Sequence, residues 1–183
     1  MSLIWDYLTA KHRPLTQEEK DDATRVYLKT INYSLVIVAD DLGFDNRKWT
    51  EPAGNGGFVL HLGPMGYAST ADSEMRATLI HELCHVWQGM NHLISWGYVA
   101  DSAIQQGLCK LAGCSAYAYK PGDLWGEYNV EQQAHIVEDW YRGGLRTDSP
   151  LFTYIAGNIR CPILSWFGET ATEIGAGAAA IKG

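Results

Sequence analysis

The 183 residues, 46% hydrophobic and 19% charged, suit a single globular domain large enough to bury a core, and their balance argues against disorder. A net charge of −7, with no block of Lys or Arg anywhere, argues against nucleic acid as a partner and against electrostatic attachment to a membrane surface. One domain over 1–183 is expected, with 168–183 as a loosely held tail rich in small residues.

The opening "MSLIWDYLTAKHRP" lacks a basic start followed by an apolar run, so it does not read as a secretory leader. "LTQEEKDDATRVYLKTI" reads as a helix, with Thr16 as N-cap, Glu18 and Glu19 in the first turn, and Ala23, Val26, Tyr27 and Ile31 at helical spacing. "YSLVIVAD" reads as a strand, "GFDNRKWTEPAGNGG" as a loop of turn formers, and "FVLHLGP" as a second strand stopped by Gly63 and Pro64. His61 in that strand reads as a strand residue rather than a ligand. The strand itself is expected to offer its edge to an extended chain.

From Ser69 the periodicity becomes helical, with Ser69 and Asp72 at capping-box spacing, a stripe of Met75, Leu79, Leu83 and Val86, and Gly89 as a stop. His92 to Tyr119 reads as partly helical, and "YKPGDLWGEY" as a turn-rich link. "NVEQQAHIVEDWYRGG" gives a second clear helix, capped by Asn129 with Gln132 at the capping-box position, apolar at Ile136, Val137 and Trp140, and ended by Gly143 and Gly144. No uncharged apolar run reaches the roughly 18 residues of a membrane span; the longest candidate, Leu151 to Phe167, holds Asn158, Arg160 and Pro162.

The chemistry lies in "TLIHELCHVWQ". Residues four apart on a helix stand one above the other, so the imidazoles of His81 and His85 can converge on one ion. Glu82 projects about 100° away from His81, beside such an ion, where it can take a proton from an activated water. HExxH thus has a mechanism behind each letter. Cys84, inside the motif, reads as a small buried residue. The four cysteines, Cys84, Cys109, Cys114 and Cys161, lack CxxC spacing; Cys109 and Cys114 are compatible with a local disulfide or with two reduced thiols.

Catalytic zinc needs a third protein ligand. His92 falls one residue late for the metzincin spacing, which turns it about 100° around a continuing helix. Glu131, His135 and Glu138 share one polar stripe of the later helix, and a carboxylate from a separate helix is what a gluzincin-like site requires; Glu131 is the first candidate and Glu138 the second. His135 reads as a neighbour of the ion or a transition-state donor. Tyr128, His135 and Arg142 are candidates for stabilising an oxyanion, and the sequence does not rank them.

Together, "LTQEEKDDATRVYLKTINYSLVIV", "TLIHELCHVWQ" and "YNVEQQAHIVEDWY" resemble, in order, a family of bacterial zinc metallopeptidase effector domains. That family occurs at the C-terminus of type VI secretion spike (VgrG-type) proteins, in Rhs-associated proteins and as stand-alone proteins. The resemblance implies an α+β, mostly helical zincin-like fold with a small sheet or hairpin. It implies Zn2+ held by His81, His85 and the "EQQA" glutamate, Glu131, with Glu82 as the catalytic acid–base. It also implies a toxin delivered into a target cell without a classical leader, a protein or peptide substrate, and an immunity protein or the secretion apparatus as partner. Two other readings stand beside it: a metal-stabilised toxin or binding module without turnover, and a zinc amidase acting on cell wall.

Overall fold

The computed structural model describes residues 10–42, 46–91 and 118–161. The expectations for His92, Cys109, Cys114 and the C-terminal tail lie outside these residues. The described part is α+β: a four-stranded sheet with helices packed against it. The strands are β1 (His12–Pro14), β2 (Val36–Ala39), β3 (Trp49–Pro52) and β4 (Phe58–His61), and their order across the sheet is β1-β2-β4-β3. β2 and β4 pair in parallel, and each carries an antiparallel neighbour on its other side.

Two expectations are corrected here. β4 is an interior strand with both backbone edges paired, so it offers no edge; among the described residues the outer strands are β1 and β3. β3 itself lies within the stretch read as loop. Its four residues are too few to set up a visible alternation and sit between turn formers, and it is held by pairing with β4.

Helix α1 (Gln17–Tyr27) starts as expected: Thr16 and Glu19 form a reciprocal capping box. It ends earlier than its apolar spacing suggests, at Tyr27, and Ile31 is buried from the following turn. Glu19 is buried and also takes a two-pronged ion pair from Arg13 on β1 and a hydrogen bond from Thr70. Gly63 and Pro64 do not merely stop β4. Gly63, at φ 72°, turns the chain into helix α2 (Gly63–Ala68), where the proline in the first turn removes one of the N–H groups that a helix start leaves without an intrahelical partner.

Helix α3 (Ser73–Asn91) begins four residues later than read, because the Asp72 carboxylate, not Ser69, accepts from the first free N–H groups, those of Glu74 and Met75. It also runs through Gly89. A Cβ there would sit 2.5 Å from the Phe58 ring, so this glycine permits close approach of helix to sheet rather than ending the helix. From Leu79 to Gly89 every residue of α3 is buried. The Tyr27 hydroxyl donates to the Ile80 carbonyl at 2.5 Å and fastens α1 to α3 one residue before His81.

Helix α4 (Val130–Arg142) matches its expected start, with the Asn129–Gln132 capping box, and its expected apolar face of Ile136, Val137 and Trp140. It makes the most extensive contact of any pair of elements, along α3. The stripe Glu131–His135–Glu138 therefore faces α3, not bulk water. That packing is what forms the site.

Candidate metal centre

Thirteen of the nineteen residues of α3 are buried, among them His81, Glu82, His85 and Gln88. Polar side chains in a core cost free energy unless their hydrogen-bonding groups are satisfied, so the partners of these four carry the meaning of the helix.

The two imidazoles are arranged alike. His81 turns Nε2 toward Glu131 Oε2, at 3.4 Å, and Nδ1 toward Glu138 Oε2, at 3.0 Å. His85 turns Nε2 toward the same Glu131 oxygen, at 3.6 Å, and Nδ1 toward Gln88 Oε1, at 2.8 Å. The outer contacts have hydrogen-bond lengths and the inner ones are longer. Two ligand atoms about 2.0–2.1 Å from a tetrahedral zinc stand about 3.3 Å apart, close to both inner separations. In the neutral form with Nδ1–H donated outward, each Nε2 would offer its lone pair to an ion held beside the Glu131 carboxylate, the tautomer that a metal-ligating histidine takes. His81, His85 and Glu131 thus form a buried group that can hold a metal ion.

A second set, His81, His135 and Glu138, also lies within ligating distance. It shares His81, and its carboxylate is committed elsewhere: Glu138 Oε1 accepts from the Arg142 guanidinium while Oε2 meets the His81 ring. Glu138 therefore fits better as the carboxylate behind His81 than as a ligand.

The three polar letters of "EQQA" each have a partner in the structure. Glu131 meets both imidazoles, Gln132 caps the helix, and Gln133 accepts from Gln88 and donates to the carbonyls of Trp125 and Tyr128. Ala134 is fully buried in the core. Gln88, also fully buried, spans the two helices: it accepts from His85 and donates to the Val130 carbonyl and to Gln133. Sequence reading missed it, although its position three residues after His85 was a signal, since such residues are neighbours on a helix.

Charge confirms the tightness of the group. Burial raises the Glu131 carboxyl, but His81 and His85 outweigh it and hold the carboxyl well below the usual carboxylate range. Burial lowers the His81 imidazole, yet Glu131 and Glu138, helped by Glu82, push it up to about 10. Glu138 is likewise lowered to about 2, where burial opposes and His81 and Arg142 prevail. His135, partly exposed, stands edge-on to His81 with ring centroids 4.9 Å apart, and burial followed by His81 lowers its pKa.

The Glu82 carboxylate accepts a hydrogen bond from the Thr50 hydroxyl at 2.7 Å. Thr50 was not singled out from sequence, because it lies on the strand read as loop. Tyr128 is not brought into the group. It is buried, and its hydroxyl donates to the Lys120 carbonyl and meets Asp123 N–H and the Tyr154 hydroxyl. Arg142 is taken up by Glu138 and Glu74. Cys84 is a free, fully buried thiol whose pKa is pushed up by burial. His61 is buried in β4 between Asp41 and Glu51, at 2.7 and 3.1 Å.

A curated relative, the type VI secretion system spike protein VgrG2b of Pseudomonas aeruginosa strain PAO1, is 32% identical over 139 residues. The match covers 70% of this chain and 13% of that much longer protein. A solved structure, the effector domain of Pseudomonas aeruginosa VgrG2b, superposes with a TM-score of 0.58 and 26% identity over 79% of this chain and 82% of the domain. The chain is homologous to that effector domain. The likeness to VgrG2b thus covers most of a domain but only a small part of the spike protein. No protein-family model matches the sequence. No helix among the described residues is long and apolar enough to cross a membrane.

Proposed function

We propose that this chain is a zinc metallopeptidase with a zincin-like fold, acting as a secreted bacterial effector. One observation carries the reading: Nε2 of His81 and of His85 converge on one Glu131 oxygen, at separations that match the edge of a zinc tetrahedron, while Nδ1 of each ring is held from behind. The homology to the VgrG2b effector domain supports delivery through a type VI spike, with the secretion apparatus as a partner.

In this reading His81, His85 and Glu131 are the three side chains that would hold zinc. The ion supplies Lewis acidity toward a water and a peptide carbonyl. Glu82 receives a proton on its carboxylate and returns it to the leaving amine. His135, partly buried and edge-on to His81, is in this reading the donor to a developing oxyanion. Glu138 and Gln88 fix the tautomers of the two ligating rings.

The test combines metal content with cleavage. The purified parent is expected to carry one equivalent of zinc by mass spectrometry and to cleave casein. Glu131→Ala should lose the zinc; Glu82→Gln should keep it and lose cleavage. Zinc retained as tightly by Glu131→Ala as by the parent would refute the ligand set. Cleavage surviving in zinc-loaded Glu82→Gln would refute the mechanism. A parent that opens purified peptidoglycan and leaves casein intact would instead identify an amidase.

A further inference from the structure

We infer that Thr50 is a positioning residue for Glu82, and that its place over Glu82 is set by a buried clasp on the opposite face of the sheet. The inference rests on the peptidase reading for what Glu82 does, and on the fold alone for how Glu82 is held.

Side chains alternate between the two faces of a strand, so Thr50 points one way and its neighbours Trp49 and Glu51 the other. In the antiparallel ladder Thr50 is opposite Leu60 and Trp49 is opposite His61. Leu60 belongs to the core, on the same face as Phe58, which touches Gly89 of α3. Thr50 is therefore on the α3 face, 4% exposed, and donates to Glu82 Oε2 at 2.7 Å, with the Glu82 backbone carbonyl 3.1 Å away. One hydroxyl thus spans the main chain and the carboxylate of the same residue, which fixes both ends of a side chain that otherwise rotates about three bonds.

The opposite face explains why a short edge strand keeps this register. His61 lies beneath Trp49, with ring centroids 5.2 Å apart and planes 19° from parallel. Its Nδ1 meets Asp41, just past the end of β2, and its Nε2 meets Glu51 on β3. Both neighbours of Thr50 are thereby fastened to one buried ring, which is itself tied to Asp41 beyond the end of the adjacent strand β2. A slip of one residue would turn Thr50 away from α3 and bring Trp49 or Glu51 into its place.

The experiment uses Thr50→Val, which keeps the shape and removes the hydroxyl, and Thr50→Ser, which restores it. Casein turnover, zinc content and the carbon-13 signal of the Glu82 side-chain carboxyl (assigned by its loss in Glu82→Gln and recorded on chelator-treated protein) are measured for each. Thr50→Val should lower kcat by about 10- to 100-fold, as a slightly misplaced catalytic group does, with KM and zinc content parent-like and the Glu82 signal displaced. Thr50→Ser should recover both kcat and signal. A parent-like kcat or an unmoved Glu82 signal in Thr50→Val overturns the inference, as does loss of zinc from that variant or failure of serine to restore it. If the parent cleaves nothing, the peptidase reading falls by itself, and the carboxyl signal still decides whether Thr50 holds Glu82.

Discussion

Oε2 of Glu138 lies 3.0 Å from Nδ1 of His81, across the contact between two helices whose paired residues are 57 positions apart in sequence. The carboxylate fixes the ring that Glu131 meets from the other side, and Arg142 fixes the carboxylate. Removing it should therefore loosen an ion that it never touches. Glu138→Ala is expected to weaken zinc binding by about 10- to 100-fold, measured by competition with a chromogenic chelator. Affinity equal to the parent's would show that His81 needs no partner behind it.

Gln88 does the same for His85 and also bridges to α4. Gln88→Leu keeps the bulk but leaves His85, the Val130 carbonyl and Gln133 each short of a partner. Stability should fall by about 1–3 kcal/mol in urea denaturation of chelator-treated protein, and zinc affinity should fall with it. An unchanged midpoint would mean that water replaces the amide at no cost.

Protons and the ion compete for His81. Because Glu131 and Glu138 push this imidazole up to about 10, against the effect of burial, it keeps its proton through neutral pH, and binding must displace that proton. Zinc affinity should therefore rise with pH by about tenfold per unit for one displaced proton. Calorimetry in buffers of different ionisation enthalpy reads the proton count directly. Affinity independent of pH across the neutral range would contradict a His81 ligand.

Glu19 gives a stability prediction away from the site. Burial raises its pKa, but the Arg13 pair and the Thr16 and Thr70 bonds win and lower it. A depressed carboxylate stabilises the fold above its unfolded value of about 4.3, and that stability is lost as pH falls through the lower folded value. Glu19→Gln should cost about 3 kcal/mol at neutral pH and flatten the acid limb of the stability profile. An acid limb identical to the parent's would assign acid unfolding to other carboxylates.

At Gly89 the expected change is steric. The new methyl of Gly89→Ala would meet the Phe58 ring, 2.5 Å from its nearest atom, and should cost about 1–3 kcal/mol by thermal denaturation although alanine favours helix. A stabilised variant would mean that the ring moves aside freely.

What the sequence made legible were features written locally. The N-cap at Thr16, the capping box at Asn129, the spacing of His81 and His85, and the apolar face of Ile136, Val137 and Trp140 each follow from residues within one helix, and the two capped helices start where these say. Glu131 stood out as the first candidate ligand, with Glu138 second, because a second helix had to supply a carboxylate, and it does meet both imidazoles. What escaped was set by distant partners. β3 is too short to announce itself and is held by β4, so Thr50 passed as loop. β4 was taken for an edge because nothing in its own residues states how many neighbours it has. Gly89 looked like a helix stop, and only the Phe58 ring, 31 residues earlier in the chain, gives its purpose. Tyr128 was a reasonable candidate by nearness in sequence, and its hydroxyl is engaged with Lys120, Asp123 and Tyr154 instead.

The enclosure of α3 has a last consequence. Tyr27 grips it from one side, Thr50 from the sheet and Gln133 from α4, so its imidazoles meet the distant carboxylate only after the whole assembly has closed. A half-collapsed polypeptide lacks that meeting of side chains, so an ion bound there would favour the closed arrangement over looser ones. An ion held there would lock the fold as well as serve its chemistry.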